Sequence, residues 1–107
     1  LPKWVEILSV ADMSKQQLLE LQIEKGESSA IALALETPNS TIILDDHKAR
    51  KIANQLGLAY TGTIGVIVKA KLKGIIPSIK PIIEKIKRTN FRISVEIEIQ
   101  ALKQANE

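Results

Sequence analysis

The sequence contains no cysteine and a single histidine, His47. The lack of cysteine excludes disulfides, thiolate nucleophiles and zinc sites built from cysteine. One histidine cannot form a multi-histidine metal site within one chain. Aromatic residues are also scarce, and Trp4 and Tyr60 are too isolated to form a platform on which nucleic-acid bases stack. Isoleucine, leucine, valine and alanine must therefore form the core, which favours layers of helix and buried parallel strand.

Long apolar runs are absent as well. No run approaches the roughly 20 residues that a membrane span needs, and the first residues do not resemble a signal peptide. The lack of cysteine fits a reducing compartment, so we expect a soluble, cytoplasmic protein with no membrane partner. The chain opens on Leu1 and Pro2 rather than on methionine, from which we expect that a segment upstream is missing.

The 107 residues carry a formal net charge of +3. This length predicts a single domain over residues 1–107, or a piece of one, since domains commonly run to about 100–150 residues. The basic residues concentrate in the second half, at Lys69, Lys71, Lys73, Lys80, Lys85, Lys87 and Arg88. Such a cluster can meet the phosphates of RNA. A solvated helix face is the commoner explanation, because mixed-charge helix surfaces are routine.

The first half of the chain predicts one strand, two helices and a second strand. Alternating apolar residues predict a strand over residues 4–10, and a short amphipathic helix follows over residues 15–24, with Asp12 or Ser14 as its cap. Gly26 is expected to break that helix, and a buried helix follows over residues 28–36. Residues 41–44 then form an unbroken apolar run that ends in two acids. A run of this kind between two helices is typical of a central parallel strand.

The second half alternates helix and strand. Asp46 is predicted to cap a helix that Gly57 ends, and residues 58–60 are predicted as a brief strand. Further helices are expected over residues 64–73, which Gly74 stops, over 79–87, and over 93–104 with Ser94 as a cap. Strand, helix, strand and helix in this order predict an α/β fold with a mostly parallel sheet.

Three acids are the strongest candidates for chemistry. Asp45 and Asp46 follow the apolar run, so they should lie at the carboxyl end of a strand, where open α/β sheets bind ligands. Glu27 begins the preceding buried helix and could lie at the same end. Carboxylate oxygens suit Mg²⁺ or Mn²⁺, and such an ion can activate water against a phosphodiester. Alternatively, Asp46 is only a helix cap, Asp45 ends a strand, and Glu27 is a favourable charge in a first helical turn.

Two weaker candidates lie nearby. Thr61 and Thr63 flank Gly62 in a turn that could hold a phosphate or a water, although such turns often only connect a strand to a helix. The turn lacks the lysine of a P-loop, which disfavours a small nucleotide-binding domain. His47 is the one available histidine base, but no serine or cysteine partner supports that role.

Taken together, these segments resemble the DUF3368 family within the PIN-like nuclease superfamily. The resemblance covers residues 26–99 and rests on GESSAIALA at 26–34, ILDD at 43–46, KAR at 48–50, LGL at 56–58, TGTIGV at 61–66 and AKLKGII at 70–76. It implies a three-layer α/β/α sandwich and a Mg²⁺- or Mn²⁺-dependent endoribonuclease. Relatives in the superfamily act as toxins of toxin–antitoxin pairs, so the resemblance implies RNA and a protein antitoxin as partners.

Carried over by position, the resemblance makes Glu27 and Asp45 metal ligands, places Asp46 beside them and puts Thr61 and Thr63 at the rim of the site. Two features depart from the family pattern. Ser29 stands where members usually have an acid, and the family's first strand, with its aspartate, has no counterpart before Trp4. We therefore expect little or no activity from this chain alone, and we expect a homo-oligomer because an uncovered strand edge favours association. The alternative is a catalytically silent interaction module.

Overall fold

A computed structural model describes all 107 residues of the chain, which form two compact units, Leu1–Thr61 and Gly62–Glu107. The first unit consists of α1 (Met13–Leu19), α2 (Lys25–Glu36), β1 (Thr41–Ile43), α3 (His47–Gln55) and β2 (Ala59–Thr61). The second consists of α4 (Thr63–Leu72), α5 (Lys80–Lys87) and α6 (Val95–Gln104). That both units belong to one domain stays a prediction. The structure holds no helix with the length and apolarity needed to cross a membrane.

The two strands of the first unit are parallel, as the strand–helix–strand pattern predicts. Thr41 lies opposite Ala59, and Ile43 lies opposite Thr61. The pairing extends one residue further, because the Leu44 N–H donates to the Thr61 carbonyl over 2.8 Å. The α/β prediction with a parallel sheet is therefore confirmed, and the carboxyl ends of the two strands lie side by side.

β1 is an edge strand and not the central strand that its apolar run predicts. β2 is its only neighbour in the sheet. Ile42 and Leu44 are buried, whereas Ile43 between them is 58% exposed. The run is covered on one face only, because side chains alternate along a strand and helices of this unit pack on the face that carries Ile42.

The predicted strand over residues 4–10 is wrong. These residues form no strand, and Trp4 and Ile7 are 85% and 82% exposed. Alternation alone does not make a strand, since its N–H and C=O groups need a neighbouring chain. The sheet of this unit contains only β1 and β2.

The helix boundaries in the first unit also differ from the sequence prediction. α1 ends at Leu19 rather than at residue 24, and Gly26 lies inside the first turn of α2 instead of breaking a helix. Glycine in a helix costs only about 1 kcal/mol relative to alanine, so it does not by itself break one. The break falls at residues 20–24, which connect α1 to α2.

The predicted caps are confirmed. The carboxylate of Asp12 accepts from the Ser14 N–H, that of Asp46 from the Ala49 N–H, and the Ser94 hydroxyl from the Ile97 N–H. Gly57 and Gly74 have φ of +72° and +74° after α3 and α4, a conformation that glycine adopts at low cost at a helix end.

Each unit has its own apolar core. In the first unit α2 packs on β1 and α3 packs on β2, around buried Ile31, Ile42, Leu44, Ala49 and Ala53. In the second unit the core consists of Val68, Ile79, Ile83, Ala101 and Ala105. Burial of these aliphatic side chains stabilises each unit.

A carboxylate also ties distant segments together within each unit. In the first unit, both oxygens of Glu36 accept from backbone, one from Ala11 and one from Asp12, each over 2.8 Å. These bonds to the Ala11 and then the Asp12 N–H hold the pKa of Glu36 below its usual value. The end of α2 is thereby fixed to the start of α1.

In the second unit, the side chain of Glu107 accepts from the Ser78 hydroxyl and, over 2.8 Å, from the Ile79 N–H. It also lies 3.3 Å from the Lys71 ammonium. The bond from Ser78, then that from Ile79, lower the pKa of Glu107 to about 2. Glu107 thus connects α4 to the start of α5.

Candidate functional site

The three acids singled out by the sequence surround one pocket. Glu27, in the first turn of α2, and Asp45 and Asp46, which follow β1, line a cavity of about 250 Å³ together with Gly26 and Ala30. Glu27 and Ala30 stand three residues apart on one face of α2. The end of β1 and the start of α2 therefore place three acidic residues around one pocket.

One carboxylate oxygen of Asp46 has a structural role. Its Oδ2 accepts from the Ala49 N–H over 2.8 Å at the start of α3. His47, the first residue of α3, is exposed and does not line the pocket. The capping role that sequence analysis left open for Asp46 is confirmed, and a capping carboxylate keeps oxygen lone pairs for a further ligand.

Asp45 lies beside a cation that sequence reasoning missed. The Arg50 guanidinium is 3.9 Å from Asp45 Oδ1, and its Nε donates to the Leu44 carbonyl over 2.6 Å. Both side chains are 38% exposed, so the ion pair contributes about 0–1 kcal/mol.

The position of Arg50 carried a signal in the sequence. It lies four residues after Asp46, which places it one helical turn beyond the cap on the side of the helix that faces the strand end. By holding the Leu44 carbonyl, Arg50 fixes the backbone from which Asp45 extends. Arg50 is therefore a positioning residue for Asp45.

Ser29 makes its own local contact. Its hydroxyl donates to the Gly26 carbonyl over 2.8 Å. The serine is half-buried and does not line the acidic pocket. Ser29 therefore adds no charge to this pocket.

The donor set suits a loosely held hard cation and not a closed metal cage. No three acidic or histidine side chains lie close enough together to hold an ion by themselves. Mg²⁺ is often bound by one or two carboxylates, with water and substrate phosphate as the other ligands. Glu27 and Asp45 in an open acidic pocket fit that mode of binding.

The two threonines of the predicted rim fall in different units. Thr61 ends β2, and its carbonyl accepts from Leu44, one residue before Asp45. Thr61 therefore lies beside the acidic end of β1. Thr63 is the first residue of α4 in the second unit, after the Gly62 cap.

The lysines proposed to meet RNA differ in their surroundings. Lys69 and Lys73, at the end of α4, are exposed. The Lys71 ammonium instead donates to the Ala105 carbonyl over 2.7 Å and to Glu107 over 3.3 Å. The Lys71 ammonium is thus bonded within the second unit, whereas the ammonium groups of Lys69 and Lys73 are more accessible to a ligand.

The fold and the pocket define an α/β protein with an acidic site at the carboxyl end of a parallel strand. A model of the DUF3368 family, described as a PIN domain, matches residues 2–107. The chain therefore belongs to the DUF3368 family, as the sequence resemblance indicated. Comparison with curated proteins and with solved structures gave no match.

Proposed function

We propose that this protein is a metal-dependent ribonuclease of the PIN type, and that its site is the pocket formed by Glu27, Asp45 and Asp46. The observation that carries this proposal is the convergence of three acids from α2 and β1 on one cavity in a member of a PIN-domain family. The three-layer sandwich of the complete domain and a cytoplasmic location are parts of the same proposal.

Glu27 and Asp45 would hold Mg²⁺ or Mn²⁺ through their carboxylate oxygens, with Asp46 beside them. A bound ion of this kind supplies charge to polarise a phosphodiester and lowers the pKa of a water. Arg50 holds the end of β1 and so orients Asp45. Asp46 keeps α3 in place through its cap and adds negative charge at the rim of the pocket.

Accessible cations would attract the RNA backbone. Lys69 and Lys73 are exposed at the end of α4. That Thr61 and Thr63 contact RNA stays a prediction. Cation–phosphate contacts release counterions, so affinity should fall as salt is raised. Lys71 contributes less, because Glu107 already neutralises it.

Metal binding is the first test of this proposal. Titration of the protein with Mn²⁺, followed by the electron spin resonance of the free ion, should show saturable binding. Glu27→Gln and Asp45→Asn should each weaken it by about tenfold or more, since each removes a charged ligand. Glu96→Gln, a charge change on α6, is the matched control. Binding that is unaffected by both site variants would contradict the proposal.

RNA cleavage is the second test. We expect little or no cleavage from this chain alone, because no group of three acids is placed to hold an ion by itself. Any cleavage should require Mg²⁺ or Mn²⁺ and disappear in Asp45→Asn. Cleavage that persists in that variant or in EDTA would refute the assignment.

A catalytically silent interaction module is the second candidate. It is favoured by Ser29, which is bound to the Gly26 carbonyl in place of an acid. Saturable Mn²⁺ binding that Glu27→Gln abolishes would count against it. Loss of that binding in both site variants, together with growth arrest on expression that Asp45→Asn relieves, would support a toxin, for which a protein antitoxin is the proposed partner.

A further inference from the structure

The loop between α5 and α6 forms an open cavity of about 810 Å³ in the second unit, lined among others by Thr89, Asn90, Phe91 and Arg92. Pockets for small ligands commonly measure about 300–1,000 Å³. We propose that this loop binds a single-stranded segment of nucleic acid, with a base stacked on Phe91 and a phosphate held by Arg92. The choice of RNA as the ligand rests on the proposed function, whereas the cavity and its chemistry do not.

The loop is braced at both ends. The Thr89 hydroxyl donates to the Ile86 carbonyl over 2.6 Å and accepts from the Phe91 N–H over 3.2 Å. At the other end, the Ser94 hydroxyl caps α6 by accepting from Ile97 over 3.2 Å. A loop held in this way loses little freedom when it binds a ligand, which favours affinity.

The charge of this loop is of one sign. Residues 85–95 contain Lys85, Lys87, Arg88 and Arg92 and no acid. Lys87 is neutralised, since its ammonium lies 3.7 Å from Glu84 and 3.2 Å from Glu98. Arg88 and Arg92 are exposed and form no ion pair. These two guanidinium groups are therefore available to phosphate.

The side chains of the loop match a single strand better than other anions. Phe91 is half-buried, so part of this residue is accessible to a ligand. Unpaired bases stack on aromatic rings and guanidinium planes, and an amide such as that of Asn90 can bond a base edge. Bases inside a duplex are already stacked on one another and cannot stack on Phe91, and an acidic protein would need only the charges.

Binding should be measured by fluorescence anisotropy with a labelled oligouridylate of about ten nucleotides. EDTA is added, so that neither cleavage nor the acidic pocket contributes. Phe91→Ala and Arg92→Ala should each weaken binding by about tenfold, while Phe91→Trp should keep it. Arg92→Ala should also reduce the salt dependence by about one phosphate contact. Lys80→Ala, an equal charge change at the far end of α5, is the control and should change affinity less than twofold.

Several outcomes would overturn the proposal: no binding of the oligouridylate, unchanged affinity of Arg92→Ala, equal binding of duplex RNA, or equally effective competition by polyglutamate. Equal binding of oligothymidylate would keep the site and extend it to single strands of both kinds. Thermal melting shows whether each variant folds. If Phe91→Ala does not fold, Arg92→Ala still tests the site, because Arg92 is exposed.

This experiment separates the two proposals. Loss of Mn²⁺ binding in Asp45→Asn with unchanged RNA affinity in Phe91→Ala and Arg92→Ala would leave the nuclease proposal and reject the loop site. The converse result would reject the metal site alone.

Discussion

Asp46 combines a structural contact with a place in the acidic pocket, and substitution can separate the two. Asp46→Ala removes the bond to the Ala49 N–H and should lower the free energy of unfolding by about 1 kcal/mol. Asp46→Asn keeps a capping oxygen and should lower the free energy of unfolding by only roughly a few tenths of a kcal/mol. It also removes the charge from the pocket. Urea denaturation of both variants measures the difference. Equal losses would mean that charge, and not the cap, stabilises α3.

Glu107 makes stability depend on acid. Its pKa is lowered to about 2 from an ordinary 4.5, so its contribution is complete above pH 4.5 and is lost as the pH falls towards 2. Glu107→Gln should therefore be less stable than the native protein at pH 7, and the gap should narrow below pH 4.5. Thermal melting from pH 2 to pH 7 measures it. Glu96→Gln, on the exposed first turn of α6, should show no comparable gap, and a gap that does not narrow would exclude this role for Glu107.

At the scale of the elements, Gly26 in α2 and Gly57 after α3 show where the backbone requires glycine. A Cβ added at Gly26 or at Gly57 would meet no atom within 4 Å, so only the backbone distinguishes them. Gly57 has φ of +72°, and Gly57→Ala should destabilise by about 1–2 kcal/mol. Gly26 lies within α2, where Gly26→Ala should be neutral or stabilising by up to about 1 kcal/mol. Chemical denaturation compares the two, and an equal cost at both positions would contradict the argument.

At the scale of the whole molecule, the exposed edge of β1 should promote association. β1 pairs on one side only, and Ile43 on it is 58% exposed. Unpaired edges favour strand pairing between chains, which motivates the proposed homo-oligomer. Light scattering at increasing concentration should show a rising mass that Ile43→Lys prevents.

Ile97→Lys, a substitution at a 48% exposed position on α6, is the matched control and should leave the mass unchanged. A native protein that stays monomeric throughout would refute the proposed association. If Ile43→Lys and Ile97→Lys lowered the mass equally, the cause would be a general gain in solubility and not the β1 edge.

The sequence by itself determined most of the local structure. The apolar run before Asp45, the caps at Asp12, Asp46 and Ser94, and the glycines after α3 and α4 are short-range signals, and each depends on residues within one or two turns. The acids could likewise be assigned to the end of a strand and the start of a helix. These features need no knowledge of what packs on them.

Only the tertiary structure decided what depends on a neighbour. Residues 4–10 alternate like a strand but find no partner, and β1 became an edge because β2 is its only neighbour. Some contacts form only when helices and strands pack. Examples are the bonds of Arg50 to Asp45 and Leu44 and the ion pair of Lys71 with Glu107. The sequence identifies which groups can bond, but which groups meet is determined by how the chain satisfies its backbone and buries its aliphatic side chains.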